Sequence, residues 1–109
     1  MSTNLSKEKC IPCSVGTPTL EGEKLNELMS ELKDDWVLVD DKKIERKFDF
    51  KNFADALAFV NKVGDIAEEK GHHPDIELGW GRVKVSFMTH KIDGLSRNDF
   101  IMASLVEEL

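Results

Sequence analysis

One segment restricts the architecture of this chain more than any other. Laid out at 100° per residue, Lys51 to Lys70 forms a helix whose circumference is mostly apolar. Phe53, Leu57, Val60 and Gly64 make one stripe, and Ala56, Phe59, Val63 and Ile66 make a neighbouring one. Only Lys51, Asp55, Lys62, Asp65 and Glu69 form a consistently polar face. A helix with one apolar stripe needs one packing surface. This helix predicts two, such as its own sheet and a second helix or subunit. Gly71 can end it in a left-handed cap, and Pro74 prevents its return.

The remaining elements arrange themselves around that helix. Thr19 to Leu32 predicts a first helix, capped by Thr19, with Leu25, Leu28, Met29 and Leu32 at helical spacing. Trp36 to Val39 and Ile44 to Phe50 predict a hairpin turning at Asp40-Asp41-Lys42, with Ile44, Arg46, Phe48 and Phe50 on one side. After Pro74 the hydrophobic period changes from 3.6 to 2. Asp75 to Leu78 and Arg82 to His90 predict two more strands, joined at Gly79-Trp80-Gly81. In the second of these, Val83, Val85 and Phe87 point to the core, and Lys84, Ser86, Met88 and His90 point away. A last helix starts near Ser96, where Ser96-Arg97-Asn98-Asp99 fits a capping box with Asp in place of Glu. The order α-β-β-α-β-β-α, with strands arriving as hairpins, predicts an α+β domain.

A chain of 109 residues holds one domain, which we place at residues 19–109 behind an extended arm at residues 1–18. A formal net charge of −6 repels phosphate backbones and argues against direct nucleic-acid binding. No apolar run approaches the ~18 residues that cross a bilayer, and the polar stretch Met1 to Lys9 carries no apolar signal core. Both features lead to the expectation of a cytoplasmic protein. Cys10 and Cys13 form a lone pair in the arm, short of the four ligands of a structural zinc site, and read as structural or incidental.

The chemistry-bearing residues are concentrated. The chain has three histidines, His72, His73 and His90, and no tyrosine. Acid–base work near neutral pH therefore falls mainly on these imidazoles. His72 and His73 follow the end of the long helix, whose dipole favours cations. Glu68 stands four residues before His72 and would orient its ring if the last turn persisted. The hairpin running out from Pro74 and back can return His90 to the first two. Trp80 and Met88 could floor a flat ligand. A histidine pair before proline also fits a plain capping role, and three imidazoles with a carboxylate could hold zinc.

These residues, with their spacings, resemble the signature of the pterin-4a-carbinolamine dehydratases, also known as dimerisation cofactors of a homeodomain transcription factor. The pattern is Glu68, then His72-His73-Pro74, then Trp80, Val83, Thr89-His90, Gly94-Leu95-Ser96 and Asp99. Upstream, Trp36, Phe48, Phe50, Phe53, Ala56 and Phe59 extend the similarity to about Leu20. The chain departs from relatives at Gly71, where some carry Asp, and at Lys91, where others carry an acid; neither change removes an acid–base group.

The resemblance implies a four-stranded antiparallel sheet with helices on one face, and homodimers or homotetramers built through sheets and long helices. It implies a lyase that removes water from a 4a-hydroxytetrahydropterin, the spent cofactor of an aromatic amino-acid hydroxylase, using no metal and no cofactor. In that reading His72 and His90 form the acid–base pair. His73 holds the pterin, Glu68 orients His72, and Asp99 supports the site. Gly71, Trp80, Met88, Thr89 and Lys91, with the histidines, would contact the substrate. The competing expectation is a non-enzymatic protein-binding module, a transcriptional dimerisation cofactor or an assembly factor.

Overall fold

The computed structural model describes residues 19–32 and 35–109. The arm at residues 1–18, with Cys10 and Cys13, lies outside the described residues. Three helices, α1 (Gly22–Glu31), α2 (Phe53–Lys70) and α3 (Arg97–Glu107), accompany four strands, β1 (Val37–Val39), β2 (Lys43–Asp49), β3 (Asp75–Gly79) and β4 (Arg82–Phe87). The strands form one antiparallel sheet in the order β1-β2-β4-β3. The chain is the expected α+β fold in the expected element order.

Alternation along the strands decides where the helices sit. Ile44 pairs with Phe87, Phe48 with Val83, Ile76 with Val85 and Leu78 with Val83, so all of them share one face. Ile44, Val83, Val85 and Phe87 are buried there beneath α2 and α3. Leu95, Phe100, Ile101 and Met102 complete the core from α3 and the residue before its cap. Trp36 joins it through Phe48 and Phe87, at ring distances of 6.5 and 6.2 Å, and its indole N–H donates to Glu107 Oε2 at 2.9 Å.

The opposite face is charged. Lys84 reaches Glu77 at 2.6 Å and Glu45 at 3.9 Å, and Ser86 donates to Glu45 at 3.1 Å. The hydrogen bond and charge of the Lys84 ammonium hold the Glu77 carboxyl below its ordinary range. That small surface contribution is present above the usual carboxylate pKa and fades as pH falls through the lowered one.

Local chemistry sets the element ends. Asn52, rather than Lys51, starts α2, accepting from the Asp55 N–H at 2.7 Å, a cap worth about 1 kcal/mol. The first helix begins at Gly22 behind Glu21, and Thr19 is not its cap. The Leu20 N–H donates instead to the Leu95 carbonyl at 2.9 Å, which holds Thr19 and Leu20 extended against the loop before α3. The fourth strand stops at Phe87, three residues short of the expected His90.

The two stripes of α2 part company. Ala56, Phe59, Val63 and Ala67 are buried on the sheet, whereas Phe53 is 43% and Leu57 40% exposed. The described chain covers one of the two surfaces that the sequence asks for.

Candidate active site

Helix α2 ends because Gly71 adopts φ +69°, a left-handed turn that glycine enters without a side-chain penalty, with its N–H on the Ala67 carbonyl at 2.9 Å. The chain then leaves the helix axis. His72 and His73 occupy the link to Pro74 and β3, and their rings diverge. His72 turns inward, with its side chain 14% exposed, and its Nε2 lies 2.6 Å from Asp99 Oδ1. Its ring lies near-parallel to Phe87, at 14° and 6.4 Å between centroids. His73 stays outside, 59% exposed, with Nε2 2.5 Å from Glu68 Oε2.

This pairing corrects the expectation that Glu68 orients His72. The (i, i+4) relation holds only while the helix continues, and the left-handed turn at Gly71 takes His72 off that face. Glu68 serves His73, and the carboxylate of His72 comes from the start of α3.

The third imidazole arrives by another route than strand alternation. After β4 the chain closes a tight loop. The Thr89 N–H donates to the Gly94 carbonyl at 2.8 Å, and the Thr89 carbonyl accepts from Ile92 at 3.2 Å. His90, Lys91 and Ile92 form one 3-10 turn, closed by Asp93 at φ 51°. His90 is therefore exposed on a turn and does not extend the strand. Asp75 pairs with Ser86 in the sheet, so the residues before Asp75 and after Ser86 emerge at the same end. That end carries Gly71, His72, His73, Met88, Thr89, His90 and Lys91.

Trp80 is not brought there. It sits at the tip of the β3–β4 hairpin, 71% exposed. Five strand residues separate it from the histidine end, about 16 Å at the usual strand rise of ~3.3 Å.

Asp99 is the hub of the interior. It is wholly buried, and its two oxygens meet three groups. Oδ1 faces His72; Oδ2 accepts from the Thr89 hydroxyl at 2.7 Å and from the Ser96 N–H at 2.9 Å. The Thr89 hydroxyl also meets the Ser96 hydroxyl at 2.8 Å. The Ser96-x-x-Asp99 capping box thus starts α3 and anchors a histidine at once. Sequence reasoning assigned Asp99 a supporting role and included Ser96 in the family signature, but assigned Ser96 itself no part beyond the helix cap. The available signal was a capping acid within the same short segment as Thr89 and His90.

The arrangement offers one nearly enclosed imidazole on a buried carboxylate, and two exposed imidazoles at the same end of the sheet. Such groups can give and take protons near neutral pH. Among the described residues no three His, Cys, Asp or Glu side chains are grouped to hold a metal ion, and no helix is long and apolar enough to cross a membrane.

The fold and the site define an α+β domain with a histidine–carboxylate pair joining the end of α2 to the start of α3. The family model described as pterin 4 alpha carbinolamine dehydratase matches residues 18–109, and the chain belongs to that family. A protein of Cupriavidus pinatubonensis, provisionally named pterin-4-alpha-carbinolamine dehydratase 1, is 50% identical over 110 residues, covering 100% of this chain and 94% of its own. A protein of Alkaliphilus metalliredigens with a similar provisional name is 49% identical over 105 residues, covering 96% and 95%. The crystal structure of a transcriptional coactivator/pterin dehydratase from Brucella melitensis superposes with a TM-score of 0.77 at 33% identity, covering 84% of this chain and 97% of that one. A pterin dehydratase-like protein described as a RuBisCO assembly factor in the α-carboxysome shares the fold, with a TM-score of 0.59 at 22% identity over 68% and 87%.

Proposed function

We propose that this protein is a 4a-hydroxytetrahydropterin dehydratase. The observation that carries the reading is the buried Asp99 holding His72 at the same end of the sheet as His73 and His90, in a chain of this family. Dehydration needs two proton movements. A protonated imidazole gives its proton to the C4a hydroxyl, which leaves as water when the C4a–O bond breaks. A neutral imidazole takes the N5 proton, and the N5 electron pair forms the C4a=N5 bond. The products are the quinonoid dihydropterin and water, and the two imidazoles have exchanged roles by one proton each. His72 and His90 are the assigned pair. His73, held by Glu68, orients the pterin, with the chain at Gly71, Met88 and Lys91 beside it. Each positioned acid or base contributes ~10²–10⁴-fold. In this reading the protein acts after an aromatic amino-acid hydroxylase, as a homo-oligomer in the cytoplasm, with no cofactor of its own.

The test is stopped-flow absorbance on freshly generated carbinolamine. Catalytic amounts of the protein are expected to speed water loss by ~10²-fold or more over buffer. A trace that follows the buffer blank at every protein concentration rejects the reading.

A second reading has an observation of its own. Phe53 and Leu57 leave an apolar stripe of α2 partly exposed, the kind of surface that binds another helix. The coactivator and assembly-factor descriptions of two structural neighbours fit a protein-binding role, which can coexist with catalysis.

A further inference from the structure

A threonine hydroxyl carries one proton and can accept others. The Thr89 hydroxyl donates its proton to Asp99 Oδ2, so in its 2.8 Å contact with Ser96 it must accept. The proton order is therefore Ser96 hydroxyl to Thr89 hydroxyl to Asp99. Oδ2 also receives the Ser96 N–H, which leaves Oδ1 alone to face His72. An ionised carboxylate only accepts hydrogen bonds, so the hydrogen between Oδ1 and Nε2 is the imidazole's. When His72 is neutral, its Nε2 carries the hydrogen and its Nδ1 is bare.

We propose that the Ser96–Thr89–Asp99 chain positions His72 as its Nε2–H tautomer, so that Nδ1 is the nitrogen offered to substrate, and that Thr89 is accordingly a positioning residue. Thr89 is 5% exposed, its N–H and carbonyl close the 89–94 loop, and its hydroxyl is engaged on both sides. Nothing of it is left to meet a pterin directly. It acts two bonds away, through the carboxylate. The statement about Nδ1 and substrate rests on the dehydratase reading; the tautomer does not.

The test is ¹⁵N NMR of the histidine rings at about pH 8, above the ordinary imidazole range, with dehydration kinetics run in parallel. Wild-type His72 is expected to show a protonated Nε2 with a slowly exchanging proton, and a bare Nδ1. Thr89→Val keeps the shape and removes the donor. It is expected to mix the two tautomers, speed exchange of the ring proton, and lower kcat about tenfold with KM little changed, the scale of losing a partner behind a working histidine. Thr89→Ser is expected to restore both. If Thr89→Val does not fold, Ser96→Ala supplies the readout, because it removes the hydroxyl at the head of the chain and should shift the same ring signals by less. A bare Nε2 in the wild type overturns the proposal. So does a Thr89→Val protein with wild-type ring signals, or one that raises KM alone. Ring signals that respond as expected in a protein without dehydratase activity uphold the tautomer and reject the functional reading.

Discussion

The His72→Ala/His90→Ala double variant will lose dehydration activity by at least ~10²-fold while keeping its fold. Only three imidazoles exist in the chain, and His73 is already bound to Glu68 on the exposed side. Removing the other two leaves no side chain to protonate the departing hydroxyl and none to take the N5 proton. Each role is worth ~10²–10⁴-fold, and residues acting as a unit lose less together than the product of their single effects, so the floor lies near the value for one. The fold should persist at a cost. His90 is exposed, and its loss is nearly free. Losing His72 leaves Asp99 Oδ1 buried without its partner, about 1–3 kcal/mol. Urea denaturation with an unchanged slope and a lowered midpoint shows that the rate loss is chemical. Dehydration at the wild-type rate removes His72 and His90 from the mechanism.

Substitution of Asp99 will have a large effect on stability. Asp99→Ala removes the acceptor of three groups at once: the His72 Nε2–H, the Ser96 N–H that caps α3, and the Thr89 hydroxyl, which keeps only its contact with the Ser96 hydroxyl. Each unmade hydrogen bond costs about 1–3 kcal/mol, and loss of the cap adds to that. A total of ~3 kcal/mol or more would consume a large part of a domain's stability. Asp99→Asn separates catalysis from folding. It keeps the shape: its carbonyl oxygen can take the two donors now on Oδ2, and its NH₂ then faces His72 Nε2, which accepts it only in the opposite tautomer. Near-native melting with a rate ~10²–10⁴-fold down is the expected result, the scale seen when a carboxylate behind a catalytic histidine is amidated. A variant with unaltered rate would reduce Asp99 to a helix cap.

The fold was largely legible in the sequence, and the site in part. Two periods separate the helices from the strands, and the over-wide apolar face of Lys51 to Lys70 correctly announced a stripe that the chain itself leaves partly uncovered. Boundaries moved where long-range bonds compete with local signals: the Leu20–Leu95 bond overrides Thr19 as a cap, and the loop closed by Thr89 and Gly94 ends β4 before His90. The cluster of histidines was visible from spacing. Which carboxylate serves which ring was not, because a helix that stops at Gly71 breaks the Glu68–His72 relation, and the partner that His72 takes instead, Asp99, lies 27 positions away in sequence. Trp80 looked close because turns carry no length in a sequence motif, whereas a five-residue strand carries the tip to the far end of the sheet.

The account stands on three imidazoles serving one pterin. Crystals of the protein soaked with a stable reduced pterin provide the direct measurement. The expected map shows the ring system at the end of the sheet where β3 begins, with His72 Nδ1 and a His90 nitrogen within hydrogen-bond reach of the C4a–N5 edge and His73 against the pterin. A pterin bound elsewhere on the molecule, or one touching His72 and His73 while His90 stays in solvent, contradicts it.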